Sequence, residues 1–323
     1  MKVLITGGTG FIGYNIVKEL LKSGDEPIIY DSFLNYTPPS KSNYQTYLKI
    51  RLKEIGGKVD IIQGDIRNKA YFIQILEKYK PEAVMNLAAL PIATISNKFS
   101  EEAFEINLHG IVNILESIKK VDFVKRFIYT SSSMVYGDFK YSPTDENHPL
   151  SPIDIYGGTK VSGEILTKVY NKQYGLCYTI IRPSAVYGPT DANRRVTQIF
   201  VENALTNKPL VLHNGGESKL DFSYVEDVAH GFVLALKSKK AENEIFNITR
   251  GEGRSLKELA EIIKKIVPDV KIDYKENPKD EKRPERGALD ISKAKKLLGY
   301  KPKYSLERGM EKYIEFVKNS GIL

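Results

Sequence analysis

The chain has 323 residues, 41% of them apolar and 27% charged, which allows one large domain or two modest ones with a sizeable buried core. The formal charge of +8 comes from lysines interspersed with acids, as in KEIGGK and NPKDEKRPERG, and not from a long basic block. That pattern points away from nucleic acid and toward a solvated surface with a site for a small polyanion. The single cysteine, Cys177, and four scattered histidines leave no internal disulfide and no zinc set. The N-terminus carries no signal-peptide pattern, and no apolar stretch approaches a membrane span. The expectation is a cytoplasmic protein with no metal, no nucleic-acid partner and no membrane attachment.

In chain order, the first half alternates between apolar runs and helical patterns. Lys2–Thr6 (KVLIT) is a short run, followed by a glycine-rich turn and by Ile12, Ile16, Val17, Leu20 and Leu21 at helical spacing. Pro27–Asp31, Val59–Gln63, Ala83–Ala89, Arg126–Ser131 and Cys177–Arg182 are further apolar runs. Helical patterns cover Glu101–Lys119 and Tyr156–Tyr174. Continuous apolar strands alternating with helices predict parallel βαβ units buried on both faces of a doubly wound sheet. After Pro183 the pattern changes. Helices are expected at Arg195–Asn207, Asp221–Leu236, Ser255–Val267, Ser292–Leu298 and Leu306–Lys318, a strand at Leu210–His213, and a charged loop at Asn277–Gly287. The predicted organisation is α/β: residues 1–182 form the doubly wound domain, with 221–240 returning to it. Residues 183–323 form mainly a smaller α+β cap, with a ligand cleft between the two.

Residues 6 to 13 read TGGTGFIG, and Gly7, Gly10 and Gly13 fall between the first strand and the first helix. Glycines there permit a tight turn, close approach of backbone to a pyrophosphate, and tight helix–strand packing, while the helix N-terminus offers unpaired N–H groups. The context predicts a Rossmann-type dinucleotide site. Asp31 closes the second strand 18 residues after Gly13, with no arginine or lysine before Lys41. A carboxylate there bonds both adenosine ribose hydroxyls and repels a 2′-phosphate, which favours NAD over NADP. Asp65, in QGDIRN, is placed to reach the adenine edge, with Ile66 packed on the ring.

Two later segments carry candidate chemistry. Residues 129 to 138 read YTSSSMVYGD, three hydroxyls at a buried strand end; residues 156 to 160 read YGGTK. Tyr156 and Lys160 at i and i+4 share a helix face. A tyrosine hydroxyl has a reference pKa of about 10, and a nearby ammonium favours the phenolate, so Tyr156 is a candidate base near neutral pH. Lys160 is also placed to bond the nicotinamide ribose.

TGGTGFIG, Asp31, SSSMVYG, YGGTK, RPSAVYGP, DFSYVEDVA and LLGYKP occur in one order. On these residues the chain resembles the extended short-chain dehydrogenase/reductases, specifically the NAD-dependent nucleotide-sugar epimerases and dehydratases, from residue 1 to about 318. The resemblance implies Tyr156 as catalytic base, Lys160 as its partner and Ser132 as the hydroxyl that bonds the sugar oxygen during oxidation. It implies a cofactor shell of Gly7, Gly10, Phe11, Ile12, Gly13, Asp31, Asp65, Ile66, Leu87, Ala88, Ala89, Tyr156, Lys160 and Pro183. It implies a substrate shell of Ser132, Ser133, Arg194, Arg195, Val211, His213, Lys219 and Arg283, and a homodimer built on the helices at 101–119 and 156–174.

Ser133 and Met134 stand where dehydratases of the family carry the Asp and Glu that eject water, so dehydration is not expected. The expected reaction is epimerisation of a nucleotide-diphosphate sugar at C4 through a transient ketone with internal hydride return. The alternatives are a nucleotide-sugar or nucleotide-heptose 4-dehydrogenase releasing NADH, and a silent NAD-binding scaffold. Three departures from the family pattern stand out: Ala185 replaces an asparagine that contacts the diphosphate, Leu220 a phosphate-binding arginine, and Asn86 a histidine of the fourth strand.

Overall fold

A computed structural model describes residues 1–36, 43–276 and 283–323. Lys41 and residues 277–282 of the charged loop expected at 277–287 lie outside the described residues.

The strands in chain order are β1 (Lys2–Thr6), β2 (Glu26–Asp31), β3 (Asp60–Gln63), β4 (Ala83–Asn86), β5 (Arg126–Thr130), β6 (Tyr178–Arg182), β7 (Val186–Tyr187), β8 (Leu210–His213), β9 (Lys219–Asp221), β10 (Ser223–Tyr224), β11 (Glu244–Asn247), β12 (Gly253–Ser255) and β13 (Ile272–Lys275). The helices are α1 (Phe11–Lys22), α2 (Tyr44–Ile55), α3 (Lys69–Tyr79), α4 (Ala93–Lys98), α5 (Ser100–Phe104), α6 (Gly110–Ile118), α7 (Ile155–Tyr174), α8 (Val196–Leu205), α9 (Val225–Lys237), α10 (Leu256–Ile266), α11 (Ser292–Leu298) and α12 (Leu306–Ser320).

Seven strands form one parallel sheet in the order β11-β6-β5-β4-β1-β2-β3. Successive side chains of β1 show why its sequence does not alternate: Val3 and Ile5 pack with α1 and α9 on one face, and Leu4 packs with α3 and α6 on the other. Both faces are dry, so every position is apolar. The order reverses between β1 and β4, and the β1 and β4 carboxyl ends open a crevice there, the usual ligand position in such sheets.

The helix ends follow local chemistry. Asp154 caps α7 by accepting from the Gly157 N–H at 2.7 Å, and Gly175 ends it in the left-handed region. Ser255 and Glu258 form a reciprocal capping box at the start of α10.

Several expectations are corrected. The segment Asp221–Leu236 is not one helix: β9 ends at Asp221, β10 follows, and the helix starts only at Val225. Asp221 is fully buried and its two oxygens accept from Leu289, Thr249, Arg250 and Gly251, which holds the chain extended at that point. The return to the sheet runs past 240, because β11 is its edge strand. The helix read at 101–119 is interrupted by a π turn at Glu105–His109. Asn86 is a strand clamp: its Oδ1 accepts from the Thr6 hydroxyl at 2.7 Å, which joins β4 to β1.

Three two-stranded ribbons, β7–β10, β9–β12 and β8–β13, form the smaller unit with α8, α10 and α12 around a core that includes Phe200, Leu212, Phe222, Leu259 and Tyr313. Arg51 ties the sheet unit to it. From α2 its buried guanidinium donates to the Thr9 carbonyl at 2.8 Å and to the carbonyl and hydroxyl of Thr190.

Candidate active site

A cleft of about 540 Å³ runs from the glycine turn along the β4 and β5 ends to the smaller unit. The turn forms its floor. Gly7 adopts a φ of +70°, a region that disfavours side chains, and a Cβ there would lie 2.8 Å from the Ala88 nitrogen. A Cβ at Gly13 would strike the Gly7 carbonyl oxygen, so the start of α1 is held against the turn by the absence of side chains. Gly7, Gly10, Phe11, Ile12 and Gly13 all line the cleft, and the α1 N-terminus faces it with no side-chain cap. Such a cradle fits a pyrophosphate.

Asp31 lines the same cleft at the end of β2. Its Oδ2 accepts from the Thr9 N–H at 2.9 Å and the Thr9 hydroxyl at 2.7 Å, and its Oδ1 accepts from the Phe33 N–H at 2.8 Å. The carboxylate is thereby oriented by its own loop while it keeps further acceptor capacity for ribose hydroxyls. Asp65 and Ile66 also line the cleft. Asp65 is held by Arg67, with Nη2 at 2.7 Å, and that pairing keeps its carboxyl below the usual range against the effect of burial. Leu87, Ala88, Ala89 and Pro183 complete this wall.

The three serines diverge. Ser131 donates from its hydroxyl to Glu164 at 2.5 Å, and Glu164 forms a fully buried pair with Arg182 at 2.6 Å beneath the site. Ser133 donates to the Ser184 hydroxyl at 3.1 Å. Ser132 is extended, accepts from the Met134 N–H at 3.2 Å and presents its hydroxyl to the cleft on the side of Tyr156. Burial pushes the Tyr156 hydroxyl upward, and the Arg195 charge and the nearby Ser132 hydroxyl pull it back. The Lys160 ammonium lies 5.6 Å from the Tyr156 ring centre and donates to the Thr130 carbonyl at 2.8 Å. Burial brings Lys160 down to about 8, and the Glu164 charge opposes the fall. The arrangement is an acid–base group, a hydrogen-bonding hydroxyl and a cation converging beside a dinucleotide cradle. Thr130 adds a buried hydroxyl without a partner on the same wall.

Of the expected substrate residues, Ser132, Ser133, Arg194, Arg195 and Arg283 line the cleft. Arg194 pairs with Glu202, and Arg195 with Asp191 at 3.6 Å. Val211, His213 and Lys219 are not among the residues that line it. On β8 the alternate residues Leu210 and Leu212 fill the cap core, and His213 bonds the Glu276 carbonyl at 2.8 Å. On β9 the two-residue period turns Leu220, and beyond it Phe222, to the cleft and Lys219 to solvent.

Sequence reasoning did not single out Asp154, Arg51 or Arg286, all of which line the cleft. Arg286 follows Arg283 by three residues, and that spacing was its only signal. Among the described residues there is no group of three or more His, Cys, Asp or Glu able to hold a metal ion.

The sequence profile of the "NAD dependent epimerase/dehydratase family" matches residues 3–249. The chain is 35% identical over 323 residues to a putative UDP-glucose 4-epimerase of Methanocaldococcus jannaschii, covering 98% of this chain and 99% of the other. Among solved structures it is similar to the UDP-glucuronic acid 4-epimerase of Bacillus cereus, in complex with UDP-glucuronic acid and NAD, with a TM-score of 0.89, 30% identity and 99% of each chain covered. It is equally similar to the UDP-glucose 4-epimerase of Thermotoga maritima with UDP-glucose, with a TM-score of 0.88, 31% identity and 99% of each chain covered.

Proposed function

This chain belongs to the NAD-dependent epimerase/dehydratase family, and from that premise we propose that it is a nucleotide-sugar 4-epimerase acting on a UDP-sugar. The observation that carries the reading is the convergence of Ser132, Tyr156 and Lys160 on the cleft that also holds the glycine turn and Asp31. The sheet unit binds NAD and the smaller unit, chiefly within 183–323, binds the nucleotide sugar. The glycine turn and the α1 N-terminus would hold the pyrophosphate of NAD, Asp31 its adenosine ribose and Lys160 its nicotinamide ribose. When bound, NAD supplies reversible acceptance of a hydride.

Tyr156 takes the proton of the C4 hydroxyl as the C4–H bond breaks, and returns it when the ketone is reduced on its other face. Ser132 bonds the C4 oxygen throughout and steadies it as it becomes a carbonyl. The ammonium of Lys160 favours the phenolate form of Tyr156 electrostatically. Arg195 and Arg283 are placed for the diphosphate, where guanidinium groups are well suited. Met134 offers no acid or base for loss of water, so the keto-sugar goes forward only by reduction. Net redox change is zero, which separates this reading from a dehydrogenase.

The protein acts in the cytoplasm as a homodimer. Support for the first is the lone cysteine, and no helix among the described residues is long and apolar enough to cross a membrane. Support for the second is an exposed apolar face on α7 and the α4–α5 corner, where Ile165, Val169, Phe99 and Phe104 are between 43% and 53% exposed. The test is turnover with NAD and a panel of UDP-, dTDP-, GDP- and CDP-sugars, read by NMR of the sugar and by NADH absorbance. A C4 epimer without accumulating NADH is expected. Accumulating NADH with a keto-sugar would make it a dehydrogenase.

A further inference from the structure

We propose that Arg51 is a positioning residue for the reaction: from the sheet unit it clamps the Thr190 loop of the smaller unit, and the clamp fixes where Arg195 enters the cleft beside Tyr156. The inference rests on the epimerase reading above and adds to it a residue that acts through another.

Arg51 sits on α2 and is only 1% exposed. Its Nη1 donates to the Thr9 carbonyl at 2.8 Å. Thr9 is the residue whose N–H and hydroxyl orient Asp31. The other two bonds go to one residue of the smaller unit: Nε donates to the Thr190 hydroxyl at 3.2 Å, and Nη2 donates to the Thr190 carbonyl. Burial works against the guanidinium charge, and the carboxylates of Asp191 and Asp31 are among the groups that support it. A desolvated guanidinium that spans two units in this way holds them in one geometry, because loss of either acceptor set would leave buried donors unpaired.

The loop requires such a hold. Thr190 has a φ of +69°, a region in which a β-branched residue is an outlier, and Gly188 and Arg194 also have positive φ, at +144° and +54°. Such conformations persist where surrounding contacts over-determine them. Two of the three Arg51 bonds fall on the strained residue. Beyond it the chain forms a short bracket. The Asp191 N–H donates to the Gly188 carbonyl at 3.2 Å, and Asp191 Oδ1 accepts from the Asn193 N–H at 3.2 Å. The Arg194 N–H donates to the Gln198 side chain at 2.7 Å. Asp191 is fully buried and its Oδ2 faces Arg195 Nη1 at 3.6 Å, while the same nitrogen reaches the Val186 carbonyl at 3.4 Å. Arg195 is thus placed by Asp191, and Asp191 follows the residue that Arg51 holds.

Arg195 and Tyr156 line the same cleft. Burial raises the Tyr156 hydroxyl, and the Arg195 charge leads the groups that oppose the rise. Ser132 and Asp154 also act on that hydroxyl, and the Lys160 ammonium lies 5.6 Å from the ring centre. Ser132 stands at the β5 end, and Asp154 and Lys160 belong to α7 and its cap. Arg195 comes from the smaller unit, so its contribution depends on how that unit is held.

The test uses the NAD-loaded protein. Arg51→Met should speed amide hydrogen exchange in the peptide covering residues 188–195 by at least about tenfold, with exchange of α9 unchanged. The acid limb of kcat/KM reports the enzyme before sugar binds. It should move to higher pH by about half a unit or more, because Tyr156 must lose its proton to act as base and a displaced Arg195 no longer favours the phenolate. Arg195→Met should give a similar shift, and the double variant should add nothing to it, as when one residue acts through the other. A purely structural role for Arg51 would lower the active fraction and leave the limb in place. Arg51→Lys, which keeps the charge without spanning Thr9 and Thr190, should show part of both effects. It decides the matter if the Met variant fails to fold by circular dichroism, and wild-type exchange and limb in it would then overturn the proposal. Unchanged exchange at 188–195 in Arg51→Met overturns the clamp, and an unmoved limb or additive shifts overturn the route through Arg195. Absence of turnover from every nucleotide sugar would overturn the epimerase reading, and exchange at 188–195 would still decide the clamp.

Discussion

The ammonium of Lys160 donates to the backbone carbonyl of Thr130 at 2.8 Å, so α7 is bonded to the last residue of β5. Tyr156 lies one helical turn before that lysine and Ser132 two residues beyond that threonine. Together with the Ser131–Glu164 bond, this hydrogen bond fixes the helix that carries the base against the strand end that carries the hydroxyl. It also buries the lysine, which is only 2% exposed.

Lys160→Met should therefore separate activity from stability. Turnover is expected to fall by about 10²- to 10⁴-fold, the range for a disabled acid–base group, because Tyr156 loses the charge that favours its phenolate. Stability should move the other way. Lys160 titrates near about 8 when folded and near 10.5 when exposed, so between those values the unfolded chain binds more protons and wild-type stability rises with pH. Below pH 8 the buried ammonium costs on the order of 1–3 kcal/mol. The Met variant should melt above the wild type at pH 7 and lose the rise between pH 8 and 10. A lower melting temperature in the variant would sink the argument.

Tyr156→Phe removes the proton acceptor without a change of shape. Epimerisation should fall by about 10²- to 10⁴-fold, while calorimetric NAD binding stays within about threefold, since Tyr156 is only one edge of a long cofactor wall. Burial raises the Tyr156 hydroxyl, with Arg195 and Ser132 opposing the rise, and burial lowers the Lys160 ammonium. Retention of full turnover would remove Tyr156 from the chemistry.

Asp31→Ala tests cofactor choice. The carboxylate is already oriented by the Thr9 N–H and hydroxyl. Its removal should weaken NAD by about tenfold to a hundredfold and narrow the gap between NAD and NADP, because a 2′-phosphate no longer meets a negative charge. Binding of both cofactors to the variant is the check, and an unchanged gap would show that discrimination lies elsewhere.

The legible parts of the chain were those in which one local rule speaks. TGGTGFIG and Asp31 mark a strand–turn–helix at the N-terminus, and the turn is found there with its side-chain-free contacts. Long apolar runs gave six of the sheet strands, but β11 is only EIFN and reads as nothing without its partner β6. Helices α2 and α3 were overlooked; α2 carries Arg51, whose role appears only when Thr9 and Thr190 come together. The helix read from Asp221 failed because a buried carboxylate collects backbone donors from residues 249, 250, 251 and 289, distant in sequence.

Ala185 presents a φ of +35° on the cleft wall, in a region where alanine is disfavoured and asparagine is tolerated. Ala185→Asn should thus relieve backbone strain, since asparagine visits that region more readily than alanine, and place an amide where the diphosphate is expected. KM for the nucleotide sugar should fall with kcat little changed, as for a contact made equally in ground and transition states. A raised KM with an unchanged melting temperature would show that Leu220 and its neighbours have reshaped that wall around the smaller residue.

The apolar face on α7 bears on assembly. Ile165 and Val169 lie four residues apart on one side of the helix, 53% and 43% exposed, and α5, with Phe104 at 48%, packs against the same helix. Full burial of such a side chain is worth about 1.5–3 kcal/mol, and a two-fold interface counts each residue twice. Ile165→Lys combined with Val169→Lys should therefore raise the dimer dissociation constant by at least about a hundredfold. Light scattering should give twice the chain mass for the wild type at micromolar concentration and the single chain mass for the variant. Because Tyr156 and Lys160 sit on the inner side of the same helix, a variant that becomes monomeric yet retains turnover would show that assembly and catalysis use independent faces of α7. A wild type that is monomeric at that concentration would remove the dimer.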